Sequence, residues 1–360
     1  MTSTHVRALS IGLVAVVAAV YIGYGLMTAR ETLGCDFAAY QIASDRYLHG
    51  QPLYDLSVTK TGECAQFQYP PPFVLLALPF AALGTTAGNA AWIAFLIGCF
   101  VIGCWVMPVS GGTRLAVFLA GSLSWPFIFG VRIGTVVPIL YLLFAIGWRF
   151  LDRPAVTGIV AGIGTMVKLQ PALILGWLAV RRSWIGLGAG LATIGLIALV
   201  AAAFGLTGWA DLVTVLRNFS NALDIPANAS LGAIAYQHGM GAQQASAVQA
   251  VATIVALALV VATGLRSSAP AGYLTAVVAS QVASPIVWSH YALILLLPVA
   301  WLIEQRQWWA AAIPFALTWV LLAVMPIEIY PLVFYVTLIG VPVVDWRQRT
   351  RAERQVLAAA

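Results

Sequence analysis

The residues able to do chemistry in this chain are few, and they sit at the margins of apolar runs. Gly34-Cys35-Asp36-Phe37-Ala38-Ala39-Tyr40 sets a carboxylate at the start of a polar stretch, where it can act as a general base towards a hydroxyl. Aspartate is also a favoured helix N-cap, so Asp36 alone leaves both roles open. Lys168-Leu169-Gln170-Pro171 interrupts two apolar stretches, and a lysine there either faces an anion or a cavity, or snorkels from a helix end. Arg132 stands at a similar junction, in Gly130-Val131-Arg132-Ile133-Gly134. Ser284-Pro285-Ile286-Val287-Trp288-Ser289-His290-Tyr291 puts His290 at a proline-broken helix end, although a lone histidine is more often structural. Phe67-Gln68-Tyr69-Pro70-Pro71-Pro72 pairs an aromatic with a stiff proline start, which could equally be an interfacial anchor. The chain has no D-x-D, H-E-x-x-H or C-x-x-C element. The expectation is therefore chemistry without metal or cofactor.

The elements that must position these residues are membrane helices. Hydrophobic residues make up 61% of the chain and charged ones 8%, with a mean hydropathy of +0.93; a soluble domain would carry about 25% charged residues. Runs such as Ile11 to Met27, Ala90 to Met107, Ile185 to Phe204 and Val248 to Leu265 approach the ~20 residues that cross a bilayer. The net charge of +6 does not point to nucleic acid, because Arg149, Arg153, Arg181, Arg182, Arg347, Arg349, Arg351 and Arg354 cluster at the ends of apolar runs. Those clusters place both termini in the cytoplasm, with residues 345–360 as a basic cytoplasmic tail. The first apolar run reads as a retained helix rather than a signal peptide, since no cleavage site stands out after it.

One integral membrane domain over residues 1–360 follows, all-α and polytopic, with about 11 to 13 helical segments. Two longer loops, residues 28–69 and 205–246, fall on the outer face. Parity allows an odd number of crossings between Tyr69 and Arg149, yet four apolar segments lie there, 70–84, 89–108, 114–130 and 135–148. One of them must fall short of a full span, with 70–84 and the Trp125-Pro126 region as candidates. In the first outer loop Phe37, Tyr40, Tyr47 and Leu48 share a helical face, which predicts an amphipathic helix lying in the interface. Cys35 and Cys64 flank that loop in an oxidising compartment, which predicts a disulfide, whereas Cys99 and Cys104 read as core filler.

A carboxylate, several cationic groups and aromatics among lipid-facing helices suit a substrate with an anionic head and a long apolar tail. A polyprenyl phosphate sugar is such a molecule. The order of motifs resembles glycosyltransferase family 87, the bacterial and mycobacterial GT-C membrane transferases that use polyprenyl-phosphate mannose or arabinofuranose. Its D-F-x-x-Y and L-x-G-x-P-x-Y-D patterns match Asp36, Phe37 and Tyr40, then Leu48, Gly50, Pro52, Tyr54 and Asp55. Its Y-P-P, K-x-x-P and S-P-x-x-W-x-H-Y patterns match Tyr69 to Pro71, Lys168 to Pro171 and Ser284 to Tyr291. The resemblance implies a GT-C-type fold and Asp36 as the base. It places His290 and Lys168 near the donor phosphate; Arg132, at its helix junction, is expected to join them, with Tyr40, Tyr69, Gln170 and Trp288 expected on the substrate side. It implies a polyprenyl-phosphate donor, a lipid or glycan hydroxyl as acceptor, and the bacterial inner (plasma) membrane as the location. The chain departs from the family at Gly134-Thr135-Val136-Val137, where a G-Q-x-N element is usual. A transporter or lipid flippase is the competing reading, but it predicts a repeat symmetry that the sequence does not display.

Overall fold

The computed structural model describes residues 33–57, 66–219, 222–225, 227–318 and 327–359, with isolated positions before them. The expected first helix and Cys64 lie outside these residues. The described residues hold sixteen α-helices and no strand, with four helices long and apolar enough to cross a membrane. These four are α3 (Thr85–Val106), α9 (Trp184–Ala203), α12 (Ala242–Arg266) and the membrane part of α16 (Ile329–Ala359). Their outward faces carry bare apolar side chains, among them Leu196, Leu199 and Ile254, as lipid contact requires. The protein is an all-α polytopic membrane protein.

Helices outnumber the eleven to thirteen segments expected because prolines and glycines divide the apolar runs. After the three prolines, α2 (Phe73–Ala81) has nine residues and spans about 14 Å, half the hydrocarbon thickness. The 114–130 run is also divided, into α4 (Gly111–Ser122) and α5 (Trp125–Ile133). At that break the hydroxyl of Ser124 donates to the Gly121 carbonyl at 2.7 Å, and the Trp125 amide donates to the Leu317 carbonyl at 2.8 Å. The 70–84 segment is thus too short to span as one helix, and the 114–130 run is divided at the suspected Trp125-Pro126 region. Beyond them come α6 (Val137–Arg149), α7 (Pro154–Val167) and α8 (Ala172–Val180), each entered through or just after a proline.

The two outer segments read as loops carry helices of their own: α1 (Cys35–Leu48) in the first, α10 (Trp209–Phe219) and α11 (Leu231–Gln237) in the second. At the centre stands α13 (Ala269–Val282), in which every residue from Ala271 to Val282 is buried. It delivers the chain into the irregular stretch 283–288 and then a 3-10 turn, Ser289–Leu295, that runs into α14 (Leu296–Glu304). The short helix α15 (Ala312–Ala316) precedes α16.

Candidate active site

The site is built around the first turn of α1. Gly34 occupies the N-cap in the left-handed region at φ 73°, and its amide donates to the Arg132 carbonyl at 2.8 Å. Asp36 is thus inside the helix, two residues past the cap. The N-cap role that its residue type allowed is excluded. The end of α5 approaches from below at Gly134, φ 82°, where an added Cβ would come within 3.1 Å of the Phe37 Cβ. Only glycine permits this seat.

Phe37 and Tyr40 bury one face of α1 against Phe73 and Trp92, with Tyr40 ring centroids 4.9 Å and 5.4 Å from those two partners. The shared face predicted for α1 does not extend to Leu48, which is 63% exposed, while the Tyr47 hydroxyl donates to the Phe204 carbonyl at 2.8 Å. The helix is therefore seated on protein through its N-terminal half. Tyr40 donates to the Tyr69 hydroxyl at 2.9 Å, and Tyr54 donates to the Tyr69 carbonyl at 2.7 Å, so two expected site tyrosines are in direct contact.

Lys168 ends α7 in an extended conformation, which frees its side chain from the helix. Its Nζ lies 4.4 Å from the Tyr291 ring centroid and 5.7 Å from that of Tyr69, and it donates to the Tyr291 hydroxyl. Its charge is felt at both Asp36 and His290. Residues more than a hundred positions apart in sequence are thereby joined in one cluster. His290 is buried, with the Trp288 ring parallel to it at 6.4 Å, the Tyr291 ring edge-on at 4.9 Å and the Phe129 ring at 5.9 Å. Arg132 holds its guanidinium over the same Phe129 ring, 5.6 Å from the centroid.

Gln170 Oε1, two residues after Lys168, and His290 Nδ1 are buried with no hydrogen-bond partner among the described residues. Such atoms cost about 1–3 kcal/mol each if they stay unsatisfied. Asp36 itself keeps partial exposure. Burial of its surroundings drives its pKa up to about 6, against the opposing pull of the Lys168 charge and the neighbouring Thr135 hydroxyl. Thr135 is fully buried and, although beside the carboxylate, has no well-aligned hydrogen bond of its own.

Residues 67–289, more than half of the chain, match the model of glycosyltransferase family 87. The chain belongs to that family. No curated protein and no solved structure matches it. It is a glycosyltransferase, and the matched stretch contains Tyr69, Arg132, Lys168, Gln170 and Trp288; His290 follows it directly, while Asp36 and Tyr40 precede it. Of the eight residues expected at the site, Asp36, Tyr40, Tyr69, Lys168, Trp288 and His290 fall in one cluster, Arg132 reaches its edge through Phe129, and Gln170 lies two residues after Lys168. Sequence reading missed Thr135 and the bond from Lys168 to Tyr291. For Thr135 a signal existed, since it occupies the very element where the transferase departs from its family.

Cys35, one residue before Asp36, is disulfide-bonded, whereas Cys99 and Cys104 carry free buried thiols. We expect Cys64 to be the partner. Closing a loop of about 30 residues would stabilise the transferase by roughly 3–4 kcal/mol in the chain-entropy model. Mass spectrometry of alkylated, unreduced protein should recover a crosslinked Cys35–Cys64 peptide. Recovery of alkylated Cys64 without prior reduction would exclude the pairing.

Proposed function

We propose that the transferase moves a sugar, of the mannose or arabinofuranose type, from a polyprenyl phosphate to a lipid or glycan hydroxyl at the outer membrane face, with inversion. The observation that carries this reading is the convergence of one largely buried carboxylate with Lys168 and a buried His290 whose Nδ1 has no partner among the described residues. Asp36 would take the proton of the acceptor hydroxyl. The acceptor oxygen then bonds to the anomeric carbon as the bond from that carbon to the phosphate oxygen breaks, and the polyprenyl phosphate leaves with the electron pair. Lys168, His290 and Arg132 supply the cationic and donor groups that receive the charge developing on that phosphate. Alignment of both partners in a confined site supplies much of the remaining advantage. The outer-face placement, with cytoplasmic termini and residues 28–69 and 205–246 outside, belongs to the same proposal, as does a single membrane domain over the whole chain. It is supported by the arginine clusters at the opposite helix ends.

Purified transferase in lipid nanodiscs, supplied with a radiolabelled polyprenyl-phosphate sugar and membrane-derived acceptors, should release polyprenyl phosphate and label the acceptor in the opposite anomeric configuration. Transfer from nucleotide sugars alone, or retention of configuration, would overturn the proposal.

The pH dependence follows from the burial of Asp36. A general base works only when deprotonated, so kcat/KM should fall about tenfold per pH unit below a limb near pH 6 and level off above it. The Thr135 hydroxyl lowers this pKa, so Thr135→Val should move the limb upward. A limb at the ordinary carboxylate position near pH 4, or one unmoved by Thr135→Val, would show that the titrating group is not Asp36 in this setting.

A further inference from the structure

The stretch from Ala283 to Trp288 belongs to no helix, so its backbone groups need partners from elsewhere. They are taken up almost one after another by side chains of a single distant region. Gln249 of α12 donates through Nε2 to the carbonyls of Val282 at 3.3 Å and Ser284 at 3.1 Å, and the Thr253 hydroxyl donates to Ala283 at 3.4 Å. Asn228, fully buried, donates through Nδ2 to the Pro285 carbonyl at 3.0 Å and accepts the Val287 amide on Oδ1 at 3.0 Å. The Ala229 amide closes the set on the Val287 carbonyl at 2.7 Å.

The same two amides also hold the start of α11. Asn228 Oδ1 accepts the Ser230 amide at 3.0 Å, and Gln249 Oε1 accepts that of Gly232 at 3.3 Å. These ties end one residue before Trp288 and three before His290. Beyond them His290 is set by ring packing against Trp288, Tyr291 and Phe129, because its Nδ1 makes no hydrogen bond among the described residues. The aim of the imidazole is thus governed by the backbone that carries it.

We propose that Asn228 and Gln249, assisted by Thr253, are positioning residues that clamp the 283–288 backbone and so aim Trp288 and His290 into the site. Asn228, in the second outer segment, and the N-terminal part of α12 together supply the clamp. This rests on the reading that His290 faces the leaving phosphate. Because misplacement of about 1 Å can cost on the order of a hundredfold, the effect should appear in kcat and leave the acceptor KM unchanged.

The test uses full-length transferase in nanodiscs and two readouts: transfer kinetics with a polyprenyl-phosphate sugar, and amide hydrogen exchange across residues 283–291. In Asn228→Ala, exchange there should rise at least about tenfold while peptides of α7 and α9 keep their wild-type rates. In the same variant kcat should fall about 10- to 100-fold. Asn228→Asp keeps the acceptor for the Val287 and Ser230 amides and loses only the donor to Pro285, so it should recover part of the loss. Gln249→Met, apolar and of similar length, carries the test independently should Asn228→Ala fail to fold. Unchanged exchange at 283–291, or accelerated exchange with kcat within about twofold of wild type, would overturn the clamp. A wild-type protein inactive on every polyprenyl-phosphate sugar would instead sink the proposed function, and exchange at 283–291 would still decide whether the clamp exists.

Discussion

Asp36→Asn should abolish sugar transfer, lowering kcat by roughly 10²–10⁴-fold with expression and donor binding close to wild type. The substitution is nearly isosteric and sits in the first turn of α1, beyond the Gly34 cap, so no capping bond is lost with it. An asparagine amide cannot accept the hydroxyl proton, yet it preserves the shape of the partly exposed position. Stability should change little, because Asp36 has no salt bridge within 4.0 Å among the described residues. Single-turnover transfer measured beside donor binding separates chemistry from affinity. Retention of more than about a tenth of the wild-type rate would remove Asp36 from the role of base.

Lys168→Ala and His290→Ala should each weaken handling of the lipid-phosphate donor by about 1.5–3 kcal/mol, or about 10- to 150-fold in kcat/KM. Lys168 should act partly through KM, since its charge attracts the phosphate before and after bond cleavage. His290 should act mainly through kcat if its ring meets the leaving oxygen. The two losses should fall short of additive, because the Lys168 charge reaches His290 and both pack against Tyr291. Donor titrations of the two single variants and the double variant decide this. An unchanged donor kcat/KM in both would leave Lys168 a snorkelling lysine and His290 a packing residue.

Much of this site was legible because membrane proteins announce costly residues. Lys168 between apolar runs, His290 after Ser284-Pro285 and Asp36 at the head of a polar stretch are each expensive enough near lipid to demand a reason. Helix breaks were legible as well, since proline leaves a local mark; Pro70 to Pro72 and Pro126 coincide with the starts of α2 and α5. What could not be read were partnerships across long sequence separations. Asn228 meets Pro285 and Val287 through an amide that fits any backbone, so no spacing rule announces the contact. The face of α1 was misjudged at Leu48 for a related reason. Periodicity gives direction around a helix but not how far along it the packing partner extends, and α2 and α3 meet only the first half.

The bond from Gly34 to Arg132 and the seat of Gly134 under Phe37 join α1 to the end of α5 through backbone at van der Waals contact. Lys168, by contrast, arrives on a long aliphatic stem and touches tyrosine rings. The site is thus a vice with one fixed jaw and one sprung jaw. In the proposed reaction, proton abstraction needs its base held within about 0.5 Å of the productive geometry, and the Asp36 carboxylate rides on the fixed jaw. Attraction between a cation and a phosphate fades only as the inverse of distance, and the ammonium that provides it rides on the sprung one. Under the proposed function, the rigid backbone contact would hold the group that needs the closest placement, and the long lysine stem would adapt to a donor headgroup as it enters and leaves.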